Sequence, residues 1–136
     1  MKSRDSLIRL KRFQVDEKRR QAADIEMMVA EFERMASDLD QQILAEQERA
    51  GITDVTHYAY PTFAKAAMQR RDNLLASADD LREKLARAND ELAEAFEELK
   101  KVELIDEREQ ERERVAEAAR EQSDMDGVAL AMHRHN

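Results

Sequence analysis

Nine positions on one helical stripe constrain the fold of this chain more than any other feature. They recur alternately every four and every three residues, and all nine are apolar: Leu74, Ala78, Leu81, Leu85, Ala88, Leu92, Ala95, Leu99 and Val102. Because 42% of the chain is apolar, such a run arises by chance in only about 0.3% of cases over seven registers. The spacing is that of a heptad repeat and predicts a long helix packed along one stripe.

A shorter stripe of the same kind lies in the first half of the chain. It comprises Ile25, Met28, Phe32, Met35, Leu39 and, after a small drift, Ile43. Upstream, Leu7, Leu10 and Phe13 fall three residues apart. Residues 14–21 between them offer only Val15 as an apolar side chain, so we expect poor packing there.

The two stripes predict an all-α fold, a long antiparallel two-helix coiled-coil hairpin. With the bend near residue 56, the numbers of facing residues add to about 112. That register sets the N-terminal cluster beside the far end of the second stripe: Leu7, Leu10 and Phe13 against Ile105, Val102 and Leu99.

Glycine and proline place the bend. Gly51 follows a helical run and suits the left-handed residue that ends a helix. Pro61 suits the first turn of the next helix, with Thr62 as an alternative N-cap. We therefore predict a helix over about residues 3–49, a bend over 50–62 and a helix over about 63–122. Residues 123–136, around Gly127, are expected to form a disordered tail.

Composition excludes several functions. The chain has no Cys, which rules out a disulfide framework and a thiolate metal site. No apolar run approaches the roughly 18 residues of a membrane span, and the start is unlike a signal peptide, so we expect a soluble, cytoplasmic protein. There is no glycine-rich phosphate loop and no HExxH motif, and a two-helix hairpin has no enclosed pocket. We expect no enzyme activity, no cofactor and no metal site.

Charge and aromatic residues indicate partner surfaces instead. Residues 1–20 carry eight Lys/Arg against three acids, +5, while the rest of the chain holds −13 of the total of −8. A basic arm on an acidic body indicates an acidic partner or nucleic acid, or simply a solvated helix end. Tyr58, Tyr60 and Phe63 gather at the bend. They either plug the end of the hairpin or form a docking patch.

These features together resemble the FliJ family, small coiled-coil components of the bacterial flagellar type III export apparatus. The resemblance covers most of residues 2–120. It rests on the basic start "SLIRLKRFQVDEKRR", the Tyr-x-x-Phe pattern Tyr60-Pro-Thr-Phe63 after the bend, and the long charged second helix.

The resemblance implies a non-enzymatic stalk that links the hexameric export ATPase to the cytoplasmic domain of the export gate's large membrane protein, and that binds export chaperones. It places the protein in the cytoplasm, peripherally at the inner-membrane export apparatus and not inserted in the membrane. Its ATPase-binding residues would be Arg9, Arg12, Arg19 and Arg20. Its gate-binding residues would be Tyr60, Phe63 and Ala67, although the family more often has a larger apolar residue at the last position.

Three alternatives belong to other classes. A hairpin could probe a nucleic-acid machine, with the basic arm touching phosphate, but the acidic body argues against nucleic acid as a partner. A holdase chaperone would expose apolar surface at both ends of the hairpin. A structural adaptor or spacer would need no aromatic bend.

Overall fold

The computed structural model describes residues 2–135 and contains two long helices. Helix α1 spans Lys2–Ala50 and helix α2 spans Thr62–His135, and this part of the chain contains no β-strand. The all-α two-helix hairpin is therefore confirmed. The chain forms two compact units. We call Val15–Glu94 the bend unit, and Met1–Gln14 with Ala95–Asn136 the terminal unit.

The stripe of α2 packs as its heptads predict. In the bend unit every position of the stripe is buried or half-buried, and Ala78 is fully enclosed. In the terminal unit the same holds for Ala95, Leu99 and Val102. Alanine recurs at these positions, and small side chains let two helices approach closely.

The stripe of α1 in the bend unit follows a strict seven-residue repeat. The fully buried positions are Val15, Ala22, Val29, Ala36 and Ile43. Ile25, Phe32 and Leu39 lie half-buried between them, as predicted. Met28, however, is 47% exposed, so its assignment to the stripe was wrong. Val29 takes that place because a small branched side chain fits between close helices, whereas the long Met side chain lies at the edge.

Charged residues complete the packing where the sequence offers few apolar ones. Val15 is only 3% exposed, and Lys18 Nζ donates to Glu91 Oε2 at 3.0 Å. The expectation of poor packing near Val15 and Lys18 was therefore wrong, because the Lys stem covers the stripe while its ammonium pairs across it. The numbers of Lys18 and Glu91 add to 109, and those of the pair Glu33–Arg82 add to 115. Both agree with the predicted register.

In the terminal unit the apolar cluster of α1 faces outward. Leu7, Leu10 and Phe13 are 42%, 50% and 60% exposed, so their placement in the stripe was wrong. Three residues rotate about the axis of an α-helix by about 300°, which is about 60° short of a full turn. Three such residues therefore spiral around the helix instead of sharing one face. Ile8 is buried in their place.

Basic side chains occupy the remaining stripe positions of the terminal unit. Lys11 Nζ donates to Glu98 Oε2 at 2.9 Å. Arg4 Nε lies 3.3 Å from Asp106 Oδ1, and Arg4 Nη2 donates to Glu113 Oε1 at 2.9 Å. Asp106 is itself buried, so this end of the hairpin is held by a charged cluster as well as by apolar contacts.

Helix α2 also continues beyond its expected end. The sequence indicated a stop near residue 122 and a disordered tail from residue 123, whereas the helix of the structure runs to His135. Gly127 does not adopt the left-handed conformation that ends a helix, and the Ala, Leu and Met residues after it favour helix. Asn136, the last residue of the expected tail, lies outside the described residues. All residues from 110 to 134 are exposed.

Candidate partner-binding surfaces

The bend begins at Gly51, as the sequence indicated, and ends at Pro61, which was expected one position later, in the first turn of α2. Gly51 has a φ of 70°, and its N–H donates to the Gln47 carbonyl at 2.8 Å, which closes α1 with a left-handed C′ residue. At the other side the Pro61 carbonyl accepts from the Lys65 N–H at 3.2 Å. Pro61 is therefore the N-cap of α2, and Thr62 is its first helical residue.

Short-range hydrogen bonds order the loop between them. Asp54 Oδ1 accepts from the backbone N–H of Thr56 at 2.9 Å and from its hydroxyl at 2.7 Å. These two donors hold the pKa of the Asp54 carboxyl below its ordinary value. His57 Nδ1 accepts from the Ala59 N–H at 3.0 Å. The loop therefore has a defined conformation that sets the direction of each aromatic side chain.

Tyr60 points into the hairpin. It is 6% exposed and packs in one cluster with Ile43, Ala64 and Ala67. Its hydroxyl accepts from Gln47 Nε2 at 2.9 Å. Ala67 is likewise only 5% exposed. Two of the three residues assigned to the export gate thus lie inside the chain, where they support the surface without presenting a side chain to a partner.

Phe63 and Tyr58 point outward. Phe63 is 55% exposed and Tyr58 is 96% exposed. The bend therefore carries one buried aromatic side chain, that of Tyr60, and two exposed ones.

An open groove continues the stripe that begins at Phe63. Along α2, Phe63, Ala67, Arg70 and Leu74 follow one another every three or four residues, which places them on one side of the helix. A groove of about 220 Å³ is lined by Met35, Asp38, Leu39, Gln42, Arg70 and Leu74. Sequence reasoning missed this groove, although the continued spacing from Phe63 to Leu74 was a visible signal.

Arg9 and Arg12 of the terminal unit are exposed on α1. Arg9 lines an open groove together with Ser6, Leu10 and Phe13. Arg12 has a side chain that is 63% exposed, and its guanidinium lies 3.4 Å from Glu103. Sequence reasoning identified the charge of this surface but not its apolar residues, which it had placed in the core.

Arg19 and Arg20 belong to the bend unit. Their side chains are 63% and 66% exposed. Arg19 pairs with Asp16 at 3.7 Å, and Arg20 pairs with Glu17 at 2.5 Å. Since both partners lie on the same helix and are exposed, these pairs are weak and exchangeable.

Metal-ligand groups and membrane-spanning stretches are both absent from the part of the chain that the structure describes. Residues 2–135 contain no group of three or more His, Asp or Glu placed to hold a metal ion. Within the same residues, neither helix has a stretch long and apolar enough to cross a membrane. The fold is that of an all-α protein built from two long helices.

Comparison with known protein families identifies the family to which the chain belongs. The model of the family described as "Flagellar FliJ protein" matches residues 2–136. The chain belongs to this family and is a structural component of the flagellar export apparatus. Neither the curated proteins nor the solved structures contain a significant match to it.

Proposed function

We propose that this chain is a stalk that couples the flagellar export ATPase to the export gate. The single observation that carries the proposal is the outward position of Phe63 at the bend, beside the buried Tyr60. Phe63 lies in the first turn of α2 and is 55% exposed. Its ring is therefore only partly buried in the free protein, and contact with a partner would complete the burial. Aromatic anchors of this kind dominate the energy of protein interfaces.

The gate-facing surface in this proposal consists of Phe63 and the groove from Met35 to Leu74. Phe63 inserts into the cytoplasmic domain of the gate's membrane protein. Tyr60 and Ala67 act as positioning residues, since their burial fixes the start of α2. A contact at this place keeps the protein in the cytoplasm, peripherally attached to the inner-membrane export apparatus.

The ATPase-facing residues are four exposed arginines of α1, two in each unit. Arg9 and Arg12 of the terminal unit and Arg19 and Arg20 of the bend unit contact acidic residues inside the ATPase hexamer. Arg12, Arg19 and Arg20 are themselves exposed, and each forms an ion pair within the chain. Such pairs of exposed arginines are weak, so exchange for carboxylates of another protein costs little. The remaining surface is available to export chaperones, which the protein escorts.

Replacing Phe63 with Ala tests the gate-facing surface. We expect binding to the gate's cytoplasmic domain to weaken by about 2 kcal/mol or more if Phe63 is a hot spot. Motility should fall at unchanged protein levels. Tyr58→Ala is the matched control, because Tyr58 is an exposed aromatic of the same bend. Equal losses in both variants, or normal binding by the Phe63 variant, would remove Phe63 from the interface.

Reversing Arg12, Arg19 and Arg20 to Glu tests the ATPase-facing surface. Helical content should change little, because exposed substitutions rarely exceed about 0.5 kcal/mol each. Binding to the export ATPase should weaken and should depend strongly on salt. Reversing three exposed arginines of α2, Arg112, Arg114 and Arg120, supplies a control with the same change of charge. Unchanged affinity of the first variant at low salt would exclude these arginines as the ATPase contact.

A holdase function is the second candidate, and one observation favours it. Exposed apolar side chains occur in both units, Tyr58 and Phe63 in one and Leu10 and Phe13 in the other. A holdase should suppress the aggregation of an unfolded client protein at stoichiometric amounts. If the intact chain does not suppress aggregation and binds the gate domain tightly, the stalk function is supported and the holdase function is excluded.

A further inference from the structure

The last turns of α2 expose an apolar stripe with an acidic edge. Met125, Val128 and Met132 are 68%, 60% and 65% exposed, and with Ala129 and Asp124 they line one shallow groove. Glu121 lies one turn before Met125 on the same side. In proteins, most of the stability of a helix comes from the packing of an apolar face against another element.

The outer face of α1 in the same unit has the complementary character. Leu10 and Phe13 are 50% and 60% exposed, and Arg9 and Ser6 share their groove. This surface is apolar with a basic edge, whereas the α2 stripe is apolar with an acidic edge. Residues 6–13 and residues 124–132 each extend about 12–14 Å along a helix, so the two surfaces also match in length.

The two surfaces cannot meet within one chain. Lys11 pairs with Glu98, and Arg4 pairs with Asp106 and Glu113, so the N-terminal part of α1 lies beside residues up to about Glu113. Val128 is 15 residues further along α2, which corresponds to about 22 Å of helix. Only another molecule can bring an acidic apolar stripe to the basic apolar face.

We infer that two copies of this chain associate through these surfaces. The face around Arg9, Leu10 and Phe13 of each copy packs on the α2 stripe from Asp124 to Met132 of the other. A two-fold axis makes this contact twice, since every copy offers both surfaces. The apolar residues form the centre of the contact, and Arg9 meets the acidic edge at Glu121 and Asp124.

The inference of a dimer does not rest on the proposed stalk function. A dimer would nevertheless limit the binding of the export ATPase. Arg9 is covered in the dimer, so self-association and binding of the export ATPase through Arg9 exclude each other. A free pool of the protein would then be held in a form that does not engage the ATPase.

Sedimentation equilibrium of the full chain tests the dimer. The intact protein should approach twice its chain mass of 15.8 kDa with rising concentration. Changing Met125 and Met132 together to Glu should weaken the association by about 100-fold, because it places charges in the apolar centre. Tyr58→Ser, an exposed aromatic of the other unit, should leave it unchanged. A monomer up to millimolar concentration, or equal losses in both variants, overturns the inference.

Charge reversal and cross-linking then test which surfaces meet. Arg9→Glu should weaken the dimer by about tenfold, and adding Glu121→Arg should restore it. Because the chain has no native Cys, a Leu10→Cys chain mixed with a Val128→Cys chain should form one disulfide between the two. A dimeric wild type whose mixed chains do not link, or a reversal that the second change does not rescue, overturns the proposed pairing.

Discussion

The opposite orientations of Tyr60 and Phe63 predict very different stability effects for the same chemical change. Tyr60→Ala removes a ring that is 6% exposed, and deleting a buried aromatic ring costs about 3–5 kcal/mol. The lost hydrogen bond to Gln47 adds about 1 kcal/mol. Because the hairpin is only two helices thick, part of the cavity collapses or fills with water. A value near 3 kcal/mol is therefore expected, which lowers Tm by about 10 °C for a chain of this size.

Phe63→Ala should cost about 1 kcal/mol or less, because more than half of the ring is already exposed. The two variants and the Tyr58→Ala control should be compared by thermal melts followed by far-UV circular dichroism. Hydrogen exchange around Ile43 reports the bend cluster directly. If Phe63→Ala melts as far below the wild type as Tyr60→Ala, then Phe63 belongs to the core and the argument for a docking side chain fails.

Three further predictions follow from the bend and the charged cluster. Gly51→Ala should destabilise the protein by about 1–2 kcal/mol in urea unfolding, because Gly51 has a φ of 70°; an unchanged midpoint would contradict the assigned cap. Asp106→Ala should lower the free energy of unfolding by about 1–3 kcal/mol, because Arg4 loses one carboxylate partner and keeps others. Amide hydrogen exchange should become faster in residues 2–14. Unaltered protection of these amides would contradict the role given to Asp106. Lys11 holds the pKa of Glu98 below its ordinary value of 4.5 through a hydrogen bond. That stabilisation is complete above pH 4.5 and is lost as the pH falls through the lowered pKa, and a Lys11→Met variant should lose this part of the acid dependence.

Heptad spacing made the helical stripe of α2 predictable from the sequence. Every residue from Leu74 to Val102 on that stripe is buried or half-buried, because an apolar residue at each position leaves one face to pack. Gly51 was predictable for a different reason, since few other residues adopt its backbone conformation without strain. The antiparallel register followed from these two features.

The basic positions of α1 were not predictable by apolar pattern alone. Arg4, Lys11 and Lys18 recur every seven residues. A search for apolar residues passes over them, although their aliphatic stems pack against the other helix and their charged ends form ion pairs with it. The neighbouring Leu10 and Phe13 were taken into the core for the same reason. The direction of Tyr60 depends on loop torsions between Gly51 and Pro61, which no periodicity reports.

The position of the bend also sets the order in which the hairpin closes. Gln47 and Tyr60 are 13 residues apart in the chain, whereas Arg4 and Glu113 are 109 apart. Loop closure at the longer separation costs about 2 kcal/mol more, so pairing begins at the bend and proceeds away from it. During synthesis at about 5–20 residues per second, roughly 5–20 s pass between the addition of Arg4 and that of Asp106. The basic, apolar start of α1 is thus made well before the part of α2 that pairs with it, and it is the last part of the hairpin to be paired.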